Sequence, residues 1–270
     1  MPRRVSAAEI TARKGSAFPA VTAYDTPFAR CVEAAGIDVI LVGDSLGQVV
    51  LGFPSTSAVE LNDMIRHGGA VARGTERAHV IVDLPFGTYE ASDALAVASA
   101  IELVKHGGAS SVKLEGGENV ASRVRAIVDA GVPVCAHIGV TPQTAALSSG
   151  FRLKRQRDRL LRDARAVAEA GAFTVVLEMV DDELAGEITE ALAIPTIGIG
   201  AGPHCDGQIL VLYDVLGLYP DAPPFAKQFG HLAESATEAL RAYAGGVRER
   251  TFPTARKKSA AAELTGYRPN

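Results

Sequence analysis

Short runs of β-branched residues return along this chain at the spacing of βα units, with helical periods in the intervals between them. Most runs are continuously apolar rather than alternating, which is typical of parallel strands buried on both faces. Seven candidate strands follow from this pattern, at residues 20–23, 37–43, 79–83, 110–115, 132–137, 172–178 and 194–199. An eighth run, at residues 208–213, fits a strand or a helix equally well.

The intervals between these runs have the features of helices. Apolar residues share one helical face over residues 120–128, and Gly131 stands where such a helix would end in a left-handed conformation. Ser57 and Glu60 predict a capping box that opens a helix ending at Gly74. Strict alternation over eight units predicts a single closed (β/α)8 barrel. A doubly wound open sheet is the alternative, because a sequence does not reveal whether a sheet closes.

Size and charge narrow the class of protein further. The 270 residues are 47% hydrophobic and 21% charged, which excludes a disordered chain and suits one large barrel. We expect the barrel domain to cover residues 1–255 and a flexible tail to cover 256–270. The net charge of −4 indicates neither nucleic acid nor a membrane surface as partner. Three scattered cysteines, no signal-peptide pattern and no long apolar run predict a cytoplasmic protein.

Acidic side chains end several of the candidate strands, and strand ends of a parallel barrel converge on one site. Asp44, Asp83, Glu115 and Glu178 each come from a different strand. Carboxylates at one mouth repel one another unless a positive charge lies among them, and Mg²⁺ prefers such oxygen ligands. We therefore predict that Asp44, Asp83 and Glu115 bind Mg²⁺ and that Glu178 moves protons. Zinc is disfavoured, because only His137 among its preferred ligands stands at a strand end.

Two further residues have open interpretations at this stage. Lys113 shares a strand face with Glu115, so both point inward or both point outward. The following Gly116 and Gly117 permit close backbone approach and favour the inward choice. His137 is equally compatible with a hydrogen-bonded histidine near the core and with a catalytic group.

Ordered motifs run from about Thr22 to Lys227, including Val42-Gly-Asp-Ser-Leu-Gly47, Asp83-Leu-Pro-Phe-Gly-Thr-Tyr89, Val112-Lys-Leu-Glu-Gly-Gly117 and His137-Ile-Gly-Val-Thr-Pro-Gln143. Together they resemble the ketopantoate hydroxymethyltransferase family. The resemblance implies a (β/α)8 barrel of the phosphoenolpyruvate/pyruvate superfamily that depends on Mg²⁺ and is typically decameric. It also implies transfer of a hydroxymethyl group from 5,10-methylenetetrahydrofolate to 3-methyl-2-oxobutanoate in pantothenate synthesis.

The resemblance carries over to individual positions. It implies Mg²⁺ ligands at Asp44, Asp83 and Glu115, and it implies that Glu178 is the general base that generates a Mg²⁺-bound enolate. The expected substrate-binding residues are Asp44, Ser45, Asp83, Lys113 and His137. The chain departs from the family pattern at Gln48, at 54–58 and at 153–155, which bear on the preferred 2-oxo acid and on folate contacts.

Two other functions remain as alternatives at this stage. One is a Mg²⁺-dependent carbon–carbon lyase or mutase of the same superfamily. Many such lyases carry a Lys-Lys-Cys-Gly-His-type loop, and this sequence contains no similar segment. The other is a non-catalytic barrel in which the carboxylates at the strand ends merely cap helices.

Overall fold

A computed structural model describes residues 3–145, 155–219 and 222–254. Its eight parallel strands follow one another around a closed barrel, and β1 pairs with β8 to complete the ring. The predicted closed barrel is thus confirmed, and the open sheet is wrong. The strands are β1 Phe18–Thr22, β2 Val39–Val42, β3 His79–Asp83, β4 Ser111–Glu115, β5 Val134–Gly139, β6 Thr174–Glu178, β7 Thr196–Ile199 and β8 Gly207–Leu210.

One helix precedes β1, and helices follow every strand except β7, which leads to β8 through residues 200–206 without a helix; the predicted alternation is therefore wrong at this one point. The helices are α1 Ala7–Thr11, α2 Thr26–Ala34, α3 Leu46–Val49, α4 Leu61–Gly74, α5 Asp93–Gly107, α6 Ala121–Asp129, α7 Pro142–Ala145, α8 Arg157–Glu169, α9 Asp182–Ala191, α10 Leu212–Leu216 and α11 Leu232–Arg248. In the part of the chain that is described, no helix has the length and apolarity needed to cross a bilayer. The predicted tail at residues 256–270 lies outside the described residues.

Burial on both faces explains why the strands lack an alternating pattern. Every residue of β2, β3 and β4 is buried. One set of strand side chains packs against the surrounding helices, and a second set fills the barrel together with Ile10 of α1. A strand with apolar neighbours on both sides needs no polar face, so continuous apolar runs are the expected sequence signal.

The eighth run contains both of the structures proposed for it. Residues Gly207–Leu210 form strand β8, and helix α10 follows directly at Leu212. The predicted end of α6 is confirmed, since Gly131 has a φ of +90° just after the helix. The end of α6 was predictable because a glycine in the left-handed conformation stops a helix locally, whereas the sequence did not separate strand from helix within 208–213.

The predicted capping box at Ser57 and Glu60 is wrong. Helix α4 begins after Glu60, whose backbone N–H donates to Asp63 Oδ2 at 3.1 Å. Ser57 lies in a short 3-10 turn, and its Oγ is 2.9 Å from Ser55 Oγ. Local hydrogen bonding to Ser55 therefore engages the hydroxyl that was expected to cap the helix. The predicted end of this helix at Gly74 is confirmed.

Asp206 ties the N-terminal segment to the barrel. Its carboxylate accepts hydrogen bonds from the backbone N–H groups of Gly15 at 2.7 Å and of Thr196 at 2.8 Å, and Lys14 Nζ lies 3.0 Å away. Burial alone would raise the pKa of this carboxyl, but the two backbone donors and the Lys14 ammonium lower it.

We expect Asp206→Asn to lower the free energy of unfolding at pH 7 by about 2–3 kcal/mol, because an amide satisfies fewer of these donors than a carboxylate. A depressed pKa stabilises the fold above the unfolded-state value of about 3.9, and this stabilisation is lost as pH falls through the folded-state value. Urea unfolding of both proteins at pH 7 and in acid checks this. If the difference in the free energy of unfolding between the two proteins does not shrink in acid, the Asp206 carboxylate is not the source of the stabilisation.

Candidate active site

One cavity of about 190 Å³ lies at the carboxyl ends of the strands. The structure places all of the site residues expected from the sequence around it, namely Asp44, Ser45, Asp83, Lys113, Glu115, His137 and Glu178. They come from five successive strands, β2 to β6, or from the residues that directly follow a strand. The convergence of parallel strand ends thus brings together residues that lie up to 134 positions apart.

The ends of β2 and β3 hold the first two carboxylates side by side. The backbone N–H of Asp44 donates to Asp83 Oδ2 at 2.9 Å. The other oxygen, Asp83 Oδ1, is buried and lies 3.0 Å from Lys113 Nζ, but not in hydrogen-bond geometry. Asp83 and Lys113 are also register partners on β3 and β4. The predicted inward orientation of Lys113 is confirmed, because its side chain is buried and lines the cavity.

One ammonium group faces several carboxylates here. Burial would lower the pKa of Lys113, but Asp83, Glu115 and Asp44 raise it, so the side chain stays charged. Burial and the charges of Asp83 and Glu115 raise the pKa of Asp44, and burial raises that of Asp83 despite Lys113. The three carboxyl groups of Asp44, Asp83 and Glu115 outnumber the one ammonium, so an additional cation would relieve the repulsion among them.

His137 lies between two carboxylates. Its Nδ1 is 3.4 Å from Glu115 Oε1, and its Nε2 is 3.2 Å from Glu178 Oε2. Burial and the Lys113 charge oppose protonation, but the two carboxylates raise the pKa of His137 to about 9. His137 is buried and also lines the cavity, so its position is compatible with both interpretations of its role.

The position of Glu178 depends on an unusual backbone. Gly139 on the neighbouring strand has a φ of +100°, and a Cβ there would lie 2.2 Å from the carbonyl oxygen of Glu178. Met179 follows with a φ of +47°, a conformation that is uncommon for a residue with a side chain. The Glu178 side chain is 14% exposed, compared with 3% for His137, so it is the most accessible member of this pair.

Two neutral residues that the strand-end argument did not select also belong to the site. Tyr24 OH lies 2.9 Å from Ser45 Oγ, and Gln143 Nε2 donates to Asp44 Oδ2 at 2.8 Å. Both stand within the motifs that carry the family resemblance, which was the available signal. Charge and strand position did not reveal them, because neither is charged and neither ends a strand.

The donor set suits a hard cation held by few protein ligands. No group of three or more His, Cys, Asp or Glu residues in the described ranges is spaced to hold a metal ion. Asp44 and Asp83 nevertheless adjoin one another, and the buried Asp83 Oδ1 accepts no hydrogen bond. Mg²⁺ is commonly held by one or two carboxylates, with water and substrate completing its shell. The residues present fit that mode rather than a closed protein cage.

A larger cleft of about 640 Å³ opens beside the cavity and shares Glu115 with it. Gly117 at its edge packs so closely that a Cβ there would lie 2.1 Å from Asp163, which confirms the expected close approach. Asp44, Lys113 and Glu178 line the smaller cavity and not this cleft. The site residues expected from the sequence are therefore concentrated around the smaller cavity.

A closed barrel with buried carboxylates and an ammonium at the carboxyl ends of its strands defines a barrel enzyme. 2,3-Dimethylmalate lyase, a PEP mutase/isocitrate lyase superfamily member, has a similar fold, with a TM-score of 0.61 and 19% identity over 96% of this chain and 93% of that one. Phosphonopyruvate hydrolase, solved as a complex with oxalate and Mg²⁺, has a TM-score of 0.61 and 15% identity over 91% and 88%. These likenesses confirm the predicted (β/α)8 barrel fold.

The chain belongs to the ketopantoate hydroxymethyltransferase family, whose model matches residues 4–255. The 3-methyl-2-oxobutanoate hydroxymethyltransferase of Cereibacter sphaeroides is 53% identical to it over 256 residues, covering 93% of this chain and 92% of that protein. The predictions of the family and of a hydroxymethyltransferase are thereby confirmed. For the lyase or mutase alternative, the similarity to 2,3-dimethylmalate lyase is a similarity of fold and does not extend to function.

Proposed function

We propose that this cavity transfers a hydroxymethyl group from 5,10-methylenetetrahydrofolate to 3-methyl-2-oxobutanoate, giving 2-dehydropantoate for pantothenate and coenzyme A synthesis. The name of the Cereibacter relative supports the choice of 2-oxo acid. The observation that carries the proposal is the shared cavity, in which the accessible Glu178 carboxylate faces the buried group formed by Asp44, Asp83 and Lys113. A base and a cationic site for an anionic substrate are the two parts that this chemistry requires.

The cavity has separate polar and apolar walls for the substrate. Lys113 and Ser45 offer hydrogen-bond donors to the carboxylate and keto oxygens of a 2-oxo acid, and His137 lines the same cavity with its Nδ1 3.3 Å from Lys113 Nζ. The branched apolar end of the substrate faces side chains that share this cavity, namely Val176, Ile199, Ile209 and Leu210. Asp44 and Asp83 would hold a cation beside the anionic end of the substrate.

Glu178 is the base that removes the proton from C3 of the substrate. Its side chain is less buried than that of His137 and lines the cavity, so the reacting carbon has access to it. Lys113 remains protonated and stabilises negative charge as it develops on the keto oxygen. A Mg²⁺ ion held by Asp44 and Asp83, with Glu115 nearby, would supply Lewis-acid stabilisation of that charge. Each 1.4 kcal/mol of such stabilisation gives about a tenfold rate increase.

We also propose that the protein is a cytoplasmic homo-oligomer, a decamer by family resemblance. Helix α11 supports association, because it contains no buried residue and exposes the large apolar side chains of Leu240, Tyr243 and Val247. Light scattering coupled to size-exclusion chromatography measures the mass directly. A monomer at micromolar concentration contradicts the proposal.

Product analysis tests the reaction itself. The enzyme is incubated with 3-methyl-2-oxobutanoate, 5,10-methylenetetrahydrofolate and Mg²⁺, and the products are identified by mass spectrometry. We expect 2-dehydropantoate, with little product after chelation of the metal. Pyruvate and 2-oxobutanoate as competing substrates define the preference for the branched chain. Carbon–carbon cleavage products without hydroxymethyl transfer support the lyase alternative instead.

A further inference from the structure

Gln143 connects parts of the site that come from three different strand ends. It lies in the short helix α7 and is completely buried. Its Nε2 donates to Asp44 Oδ2 at 2.8 Å and to the carbonyl of Leu84 at 2.9 Å. Its backbone N–H donates to Glu115 Oε2 at 3.1 Å, and Tyr89 OH donates to its Oε1 at 2.5 Å. The side-chain amide therefore uses both of its donors and its acceptor.

The surrounding groups determine which way the amide points. Asp44 Oδ2 and the Leu84 carbonyl are both acceptors, so the end of the amide beside them must be the NH₂ group. Tyr89 lies at the opposite end and supplies a proton to the carbonyl oxygen. A flipped amide would place its oxygen against two acceptors and leave buried groups unpaired, which is costly.

Gln143 and Lys113 act on different carboxylates. The ammonium of Lys113 is 3.0 Å from Asp83, whereas the donor that reaches the carboxylate of Asp44 is the neutral amide of Gln143. A neutral donor restricts the orientation of Asp44 without cancelling its charge. The excess of carboxyl groups over the one ammonium is thereby preserved while two of these carboxyl groups are held in place.

We propose that Gln143, oriented by Tyr89, is a positioning residue whose side-chain amide holds the carboxylate of Asp44 in the arrangement that binds Mg²⁺, while its backbone N–H contacts Glu115. This inference rests on the proposed function, since it assigns a role toward that cation. Hydrogen-bond partners of metal ligands typically contribute about 10- to 100-fold to metal affinity or activity. The effect of losing the amide should therefore appear first in metal binding.

The test is calorimetric titration of the substrate-free protein with Mg²⁺. Gln143→Met keeps a side chain of similar length but removes the amide, and we expect its Kd for Mg²⁺ to rise about 10- to 100-fold. Tyr89→Phe should shift the Kd in the same direction by less. The part of the Tyr89 effect that acts through the amide should be absent once Gln143 is methionine, so the double variant should lose less than the sum of the two single losses; the hydroxyl also contacts the backbone of Glu115, at 3.2 Å from its carbonyl oxygen. KM for the 2-oxo acid should rise more than kcat falls.

Thr174→Val is the matched control. It also removes one buried hydrogen bond, from Thr174 Oγ1 to the Pro195 carbonyl at 2.9 Å, without contact to the cavity. Its Mg²⁺ affinity should equal that of the unaltered protein, even if its thermal midpoint falls. If Gln143 has only a structural role, Gln143→Met should behave like Thr174→Val and should keep the Mg²⁺ affinity of the unaltered protein.

The outcomes separate this inference from the proposed function. If the unaltered protein does not bind Mg²⁺, the proposed metal dependence is wrong. If the unaltered protein binds Mg²⁺ and Gln143→Met binds it within twofold, the positioning role is wrong. Circular dichroism shows whether Gln143→Met folds. If it does not, Tyr89→Phe decides, and an unchanged Kd in that variant rejects the role.

Discussion

Glu178→Gln is expected to slow exchange of the C3 hydrogen of 3-methyl-2-oxobutanoate by about 10²- to 10⁴-fold, the usual contribution of a positioned general base. The substitution keeps the size of the side chain and the oxygen that faces His137, so only the proton acceptor is lost. Mg²⁺ and the 2-oxo acid should bind nearly as before, because Glu178 is separate from the Asp44 and Asp83 pair. Product formation should fall in parallel with exchange.

Proton NMR in D₂O follows this exchange without folate, which isolates proton removal from the later carbon–carbon bond. Glu183→Gln is a charge-matched control, since Glu183 is an exposed residue near the start of α9, just after the same strand. It should exchange at the normal rate. Exchange that is unchanged in Glu178→Gln removes Glu178 from the role of base.

Asp83→Asn is expected to weaken Mg²⁺ binding and 2-oxo acid binding together. An amide does not replace the charge of a carboxylate beside a dication, so the loss should exceed the roughly 10- to 100-fold typical of residues one shell further out. Asp83 also pairs with Lys113 at 3.0 Å, and the substitution removes this partner of the ammonium that we propose binds the substrate. The expected result is a rise in the Kd for Mg²⁺ and in KM for the 2-oxo acid.

Calorimetry with Mg²⁺, and then with the 2-oxo acid in the presence of Mg²⁺, measures both affinities. Asp38→Asn is the control, because Asp38 is a half-exposed carboxylate paired with Arg13 just before β2, and it does not line the cavity. Retained Mg²⁺ affinity in Asp83→Asn counts against a metal site at this position. The two variants therefore test separate steps. We expect Glu178→Gln to bind Mg²⁺ and the 2-oxo acid but to exchange the C3 hydrogen slowly, and we expect Asp83→Asn to bind both ligands weakly.

The charged residues of the site were predictable because the carboxyl ends of parallel strands meet at one mouth of a barrel. Once the strands are recognised, their carboxyl ends are known to meet, and Asp83, Glu115 and Glu178 end three of them. Strand alternation placed Lys113 on the face of Glu115, and both side chains line the cavity. The sequence left the role of His137 open, because its interpretation depends on the two carboxylates that flank it.

The argument from charge and strand ends did not predict the contacts that neutral side chains make with the site. Gln143 follows β5 by a loop and contacts Asp44, which is 99 positions earlier in the chain. Tyr24 reaches Ser45 from the loop after β1. No local pattern marks such a contact, since a buried glutamine or tyrosine has the same sequence context whether or not its polar group meets the site.

Local hydrophobic periodicity determined the elements of this protein, because burial on both faces of a strand and on one face of a helix acts over a few residues. The order of those elements was enough to predict a barrel and the mouth at which its acidic side chains gather. The tertiary structure alone decided closure through β1 and β8, the backbone at Gly139 that positions Glu178, and the hydrogen bonds of Gln143. Each of these depends on atoms brought within a few ångströms by folding, and such distances are not encoded in any single stretch of sequence.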